Sequence, residues 1–110
     1  MNGTLVHQMG PAMIVNFRDE WLRAFFRGGH PITEHSVRPE DRLFRKLQMI
    51  DDATNDQDLR SPPSNHFEKL RGRLEKLHSI RINQQWRLVF QWNGPRGEAA
   101  EIYLDNHSYR

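Results

Sequence analysis

From Leu77 onward apolar residues recur at every second position, and no other feature narrows the fold as much. His78, Ile80 and Ile82 share one face, then Trp86, Leu88, Phe90 and Trp92, then Ala100, Ile102 and Leu104. A period of two marks strands with one buried face. Between the runs lie Asn83-Gln84-Gln85 and Asn93-Gly94-Pro95-Arg96-Gly97, both rich in turn formers, so the segment predicts three consecutive antiparallel strands.

Upstream the period changes. Met13 to Phe17 is β-rich, with Met13, Val15 and Phe17 on one face, and predicts a short first strand. Asp19 caps a helix running to Arg27, with Leu22, Phe25 and Phe26 at inward spacings and Gly28-Gly29 ending it. Ser36 or Arg38 precedes a second amphipathic helix that opens at Pro39, carries Val37, Leu43, Leu47 and Ile50, and ends near Asp51. Ala53 to Arg60 adds a turn or two of helix before Ser61-Pro62-Pro63-Ser64-Asn65 breaks the regular structure. The fold class is therefore α+β, in the order β-α-α-β-β-β, an antiparallel sheet with two N-terminal helices packed on one face. Residues 1–12 carry neither period and are expected to be a disordered tail, an upstream start or a remnant of an expression vector, leaving residues 13–110 as the domain.

A chain of 110 residues, 36% hydrophobic, builds one domain and one core. Cysteine is absent, which excludes disulfides, thiolate nucleophiles and Cys-containing zinc sites. No apolar run suits a membrane span and the N-terminus lacks signal-peptide order, so the expected location is the cytoplasm, with no membrane partner. The net charge is only +2, yet within residues 69–87 Lys69, Arg71, Arg73, Lys76, Arg81 and Arg87 stand against the single acid Glu75. That cluster suits a phosphate-rich ligand, although a solvated charged surface is the commoner reason for such a run.

The simplest hairpin register pairs Ile82 with Trp86 and Ile80 with Leu88, which sets Arg81 opposite Arg87. Like charges facing across a sheet are destabilising unless compensated, and an anion between them would compensate. If the next hairpin pairs Phe90 with Ile102 and Leu88 with Leu104, Arg87 also faces Asp105, and His107 points to the same side. The plain alternative is an ordinary cross-strand ion pair beside a frayed terminus. Two arginines, a carboxylate and a histidine beside a basic loop nevertheless form a set suited to phosphoryl chemistry. Arg87, on this reading, stands on the solvent face and packs little. His30, His35, His66 and His78 have no metal-ligand spacing, so no metal is assigned. His78 reads as a satisfied core histidine, and Trp86 and Trp92 as core.

Three stretches carry a resemblance: Phe67-Glu68-Lys69-Leu70-Arg71-Gly72, then His78-Ser79-Ile80-Arg81-Ile82-Asn83-Gln84-Gln85-Trp86-Arg87-Leu88-Val89-Phe90, then Asp105-Asn106-His107. With Asp51-Asp52-Ala53-Thr54 and Leu59-Arg60-Ser61-Pro62-Pro63, the chain from Met13 to His107 resembles the HigB-type plasmid-maintenance toxins of the RelE superfamily. The most specific part is Ser79 to Arg87.

The resemblance implies a RelE-like fold and a toxin of a type II toxin-antitoxin system. Such toxins bind the ribosomal A site and cut messenger RNA with the 2′-hydroxyl as nucleophile, without metal or other cofactor. It implies as partners the 70S ribosome, messenger RNA and a neutralising HigA-type helix-turn-helix antitoxin. Arg87 stands where the family has an arginine on the third strand, and Asp105 and His107 match the ends of its Asp-Tyr-His motif. Asn106 replaces the tyrosine, for which nearby Tyr109 is a candidate substitute. Glu68 occupies the position of a catalytic histidine in HigB relatives, where another branch of the superfamily has a glutamate. The implied roles are Glu68 as base toward the 2′-hydroxyl, His107 as acid toward the leaving 5′-oxygen, and Arg87 with Arg81 as transition-state cations. Lys69, Arg71, Arg73 and Lys76 would hold RNA phosphates. The competing readings are a non-catalytic nucleic-acid binder and a protein-interaction module of the same fold.

Overall fold

The computed structural model describes residues 13–29, 40–71 and 76–106. Strand β1 (Met13–Ile14) leads into helix α1 (Glu20–Gly28), followed by α2 (Glu40–Asp52), the short α3 (Asp56–Arg60) and a 3-10 turn (Pro63–Asn65). Strands β2 (Glu68–Lys69), β3 (Leu77–Arg81), β4 (Trp86–Asn93) and β5 (Glu98–Asn106) complete one sheet in the order β1-β5-β4-β3-β2. The fold is α+β, as the periodicity predicts. Among the described residues no helix is long and apolar enough to cross a membrane.

One face of the sheet meets the helices through Ile80, Ile82, Leu88, Phe90 and Ile102. Leu22 and Phe25 answer from α1, and Leu43, Leu47 and Ile50, spaced four and three apart on α2, are fully buried. Gly29 ends α1 in the left-handed conformation (φ 69°), and its N–H bonds the Ala24 carbonyl. Asp19 stands at the N-cap, but its side chain does not bond its own helix. Its carboxylate instead accepts the Leu104 N–H at 3.2 Å, tying the start of α1 to the far end of the sheet.

The sheet departs from the expected one in three ways. First, β1 is parallel to β5, Met13 opposite Glu98 and Ile14 opposite Ala99. Its inward residue is Ile14, while Val15, expected on the inward face, is 54% exposed; Phe17, two residues on, does pack against the core. The Ile14 N–H is taken by the Asp51 carboxylate and its carbonyl by Arg27, both at 2.9 Å, so the helices close the ladder at Ile14. Second, β2 adds a strand, antiparallel to β3. Third, β5 bulges between its pairings with Val89 and Gln91. Glu101 adopts a left-handed conformation (φ 55°), and its N–H bonds the Asn16 side chain at 2.6 Å. The extra residue makes Ala99, rather than Ala100, the inward partner of Trp92, and Phe90 does not pair with Ile102 as expected. Val37 and residues 1–12 lie outside the described residues.

Candidate functional site

Directly paired residues of neighbouring strands project to the same side of a sheet. On the side away from the helices, Glu68 is opposite Ser79, Ser79 opposite Val89, and Val89 opposite Tyr103, which forms one row across four strands. The next row is Arg81, Arg87 and Asp105. The hairpin register argued from the sequence is thus present, and it gathers Glu68, Arg81, Arg87 and Asp105 on one face.

Within that face Arg87 is tightly held. Its Nε donates to Asp105 Oδ2 at 2.8 Å, and among the described residues no acceptor engages its Nη groups. Arg87 is only 7% exposed, contrary to the expectation of a freely projecting side chain. Its strand is flanked on both sides, and the bond to Asp105 draws the guanidinium sideways over the sheet. Arg81, by contrast, is half-buried and has no carboxylate partner among the described residues. Glu68 is exposed on the two-residue strand β2. Arg18 joins the same face, its guanidinium 4.1 Å from the centre of the Tyr103 ring.

The remaining candidates divide. Lys69 pairs with His78 and so projects to the opposite side from Glu68, toward the helices' side of the sheet. Arg71 and Lys76 are exposed in the connection between β2 and β3. Asn106 ends β5, opposite Trp86. Arg73, His107 and Tyr109 lie outside the described residues.

His78 is less satisfied than expected. It stacks on Phe67 with ring centres 5.2 Å apart, and its Nδ1 is buried without a hydrogen-bond partner among the described residues. Burial holds its pKa below the ordinary histidine range, nearby Asp56 pulls the other way, and Lys69 and Arg60 reinforce the depression.

A second group went unnoticed in the sequence because it is assembled from separate elements. A cleft of about 420 Å³ opens between α2 and the β3–β4 hairpin, lined by Arg42, Lys46, Ser64, His66 and Arg81 with residues 82–84. Arg42 and Lys46 are four apart on α2, a spacing visible in the sequence, but nothing there aligns them with Arg81. Buried Asn65 holds the cleft wall: its side chain donates to the Leu59 carbonyl at 3.0 Å and accepts from Lys46. Burial first, then the neighbouring Arg42 and Arg45, push Lys46 below the ordinary lysine range. Among the described residues no three His, Asp or Glu side chains gather as a metal set.

Comparison with known proteins shows the family of the chain. Residues 15–107 match the family model described as the RelE-like toxin of type II toxin-antitoxin system HigB. The chain is 44% identical over 99 residues to Toxin HigB-1 of Vibrio cholerae, covering 88% of this chain and all of that protein. It is 42% identical over 97 residues to an uncharacterized protein of Haemophilus influenzae, covering 86% and 91% of the two chains. Among solved structures, the YoeB/ParE toxin from Agrobacterium tumefaciens is 18% identical with a TM-score of 0.47, covering 84% and 98% of the two chains. The toxin-antitoxin complex RelBE2 from Mycobacterium tuberculosis is 16% identical with a TM-score of 0.44, covering 91% and 95%.

Proposed function

This chain belongs to the HigB family of RelE-like toxins of type II toxin-antitoxin systems, and from that premise we propose that it is an endoribonuclease that cuts messenger RNA in the ribosomal A site. The observation that carries the reading is the shared face of Glu68, Arg81, Arg87 and Asp105. A phosphodiester lying across that face would meet a base, two cations and a carboxylate that orients one of them.

Glu68 takes the proton of the 2′-hydroxyl, whose oxygen attacks the adjacent phosphorus. The phosphorus–5′-oxygen bond breaks, and His107 protonates the leaving oxygen, giving a 2′,3′-cyclic phosphate and a free 5′-hydroxyl. Charge grows on the non-bridging oxygens as the nucleophile attacks. The Arg87 Nη groups and the Arg81 guanidinium answer it, while Asp105 fixes Arg87 beforehand so that little reorganisation is needed. Arg71, Arg73 and Lys76 hold flanking phosphates or ribosomal RNA, and Lys69 serves from the other side of the sheet edge. Residues 13–110 act as one toxin domain in the cytoplasm, and the partner that silences it is a HigA-type helix-turn-helix antitoxin.

The test is single-turnover cleavage of messenger RNA on programmed 70S ribosomes, with the same RNA free in solution as control. Cuts confined to the ribosome-bound message are expected, because the small face has few groups with which to position RNA alone. A second reading, a non-catalytic RNA or protein binder, draws on Asn106 at the motif's tyrosine position and on the burial of Arg87. Absence of cutting on the ribosome by folded protein decides for it.

A further inference from the structure

The cleft between α2 and the β3–β4 hairpin is lined by basic side chains from separate elements. Arg42 and Lys46 come from α2, His66 and Ser64 from the turn after α3, and Arg81 from β3, and no acid is among its lining residues. Elsewhere among the described residues, Arg23, Arg27, Arg45, Arg60, Arg87 and Arg96 each have a carboxylate within 4 Å. Among the described residues Arg42, Lys46 and Arg81 have none, and neither do Arg18, Lys69, Arg71 and Lys76. Among the described residues Arg42 donates only to the Ile82 carbonyl, at 3.5 Å, and Lys46 only to the Asn65 amide oxygen.

Convergent cations without a counter-charge repel one another; the Lys46 pKa is lowered first by burial, and the neighbouring Arg42 adds to the depression. An anion entering the cleft removes that repulsion and finds the Ser64 hydroxyl beside it. Arg81 belongs to the cleft and is also the direct partner of Arg87. The cleft therefore continues the candidate catalytic face instead of forming a separate patch.

We propose that Arg42, Lys46 and His66, with Arg81, hold a backbone phosphate of the RNA strand adjoining the one cut at Arg87. The proposal rests on the ribonuclease reading for the identity of the strand, but its test does not depend on cutting. A short fluorescein-labelled RNA with methylated 2′-hydroxyls, which cannot be cut by 2′-attack, is titrated by anisotropy over a range of salt. Arg42→Gln and Lys46→Gln should each weaken binding about tenfold and make the log K against log salt slope shallower by roughly one unit. Arg23→Gln, an equal charge change on α1, should leave affinity within twofold. Circular dichroism monitors the fold, and Arg42, which is exposed, serves as the variant least able to disturb it.

RNA binding that depends on Arg42 and Lys46 in a protein that cuts nothing would sustain the cleft and refute the ribonuclease. Binding unchanged by both substitutions, an equal loss in Arg23→Gln, or no RNA binding by the parent would overturn the cleft. So would a loss seen only with an oligoglutamate peptide, which would assign the cleft to an acidic segment of a protein partner.

Discussion

Arg87 and Asp105 face each other across the two central strands and are joined by a 2.8 Å bond from Nε to a carboxylate oxygen. The pair is mostly buried, with side chains 9% and 21% exposed. Removing the guanidinium therefore has two effects. Arg87→Ala should abolish ribosome-dependent cleavage and also lower stability on the order of 2–3 kcal/mol, since Asp105 loses its cation in a poorly solvated place. Arg87→Lys keeps the charge without the fork and should cut roughly ten- to a hundredfold more slowly than the parent. Single-turnover rates beside urea melts separate the effects. A folded alanine variant cutting within threefold of the parent would make the pair purely structural.

Glu68 is exposed on a short edge strand, so its substitution tests chemistry with little risk to the fold. Glu68→Gln should slow cleavage about a hundred- to a thousandfold, with thermal stability changed by less than about 0.5 kcal/mol. An unchanged rate would remove Glu68 from the role of base.

His78 binds a proton less readily in the folded chain than in the unfolded one, chiefly through burial. The unfolded state therefore takes up more protons below the ordinary value of 6.5, and stability falls as the pH drops from there toward the depressed folded pKa. His78→Phe preserves a ring against Phe67 and removes the titration. The loss of stability between pH 7 and 5, followed by urea unfolding, should be smaller in the variant. Equal losses would show that other groups carry the acid sensitivity.

Gly94 keeps the β4–β5 turn close to Asp56. A Cβ there would come within 2.6 Å of the Asp56 carboxylate oxygen that accepts the Trp92 indole N–H at 2.7 Å. Gly94→Ala should cost about 1–2 kcal/mol by displacing that carboxylate. Trp92→Phe deletes the same bond, so the two changes together should cost less than their sum. Strict additivity in thermal melts would mean that the glycine acts through the turn alone.

Glu101 holds a left-handed backbone at the bulge. Glycine tolerates that conformation and valine does not, so Glu101→Gly should be at least as stable as the parent, while Glu101→Val loses about 1–2 kcal/mol. A valine variant melting with the parent would contradict the assigned backbone.

Much of this was legible before the structure. The period-two runs gave the Arg81–Arg87 and Arg87–Asp105 registers, because residues pairing in the core fix those facing away from it. What escaped was set by contacts distant in sequence. The bulge at Glu101 depends on the Asn16 side chain, and the parallel pairing of β1 depends on a strand at the other end of the domain. The depth of Arg87 could not be read from alternation, which gives a residue's face but not how far its neighbours cover it. The cleft needed Asn65 to fasten the turn after α3 against Lys46, and a proline-rich break reveals no such anchor.

The order of strands also has a temporal meaning. Among the described residues β1 has no strand neighbour except β5, and the Asn16–Glu101 bond closes a separation of 85 residues. During synthesis the first strand and helix must wait for the last strand, and Arg87 is made before the carboxylate that orients it. A chain whose synthesis stops at the β4–β5 turn has neither a completed sheet centre nor a fixed guanidinium. The topology thus makes a fixed Arg87 a property of the finished chain, which a fragment ending before β5 does not have.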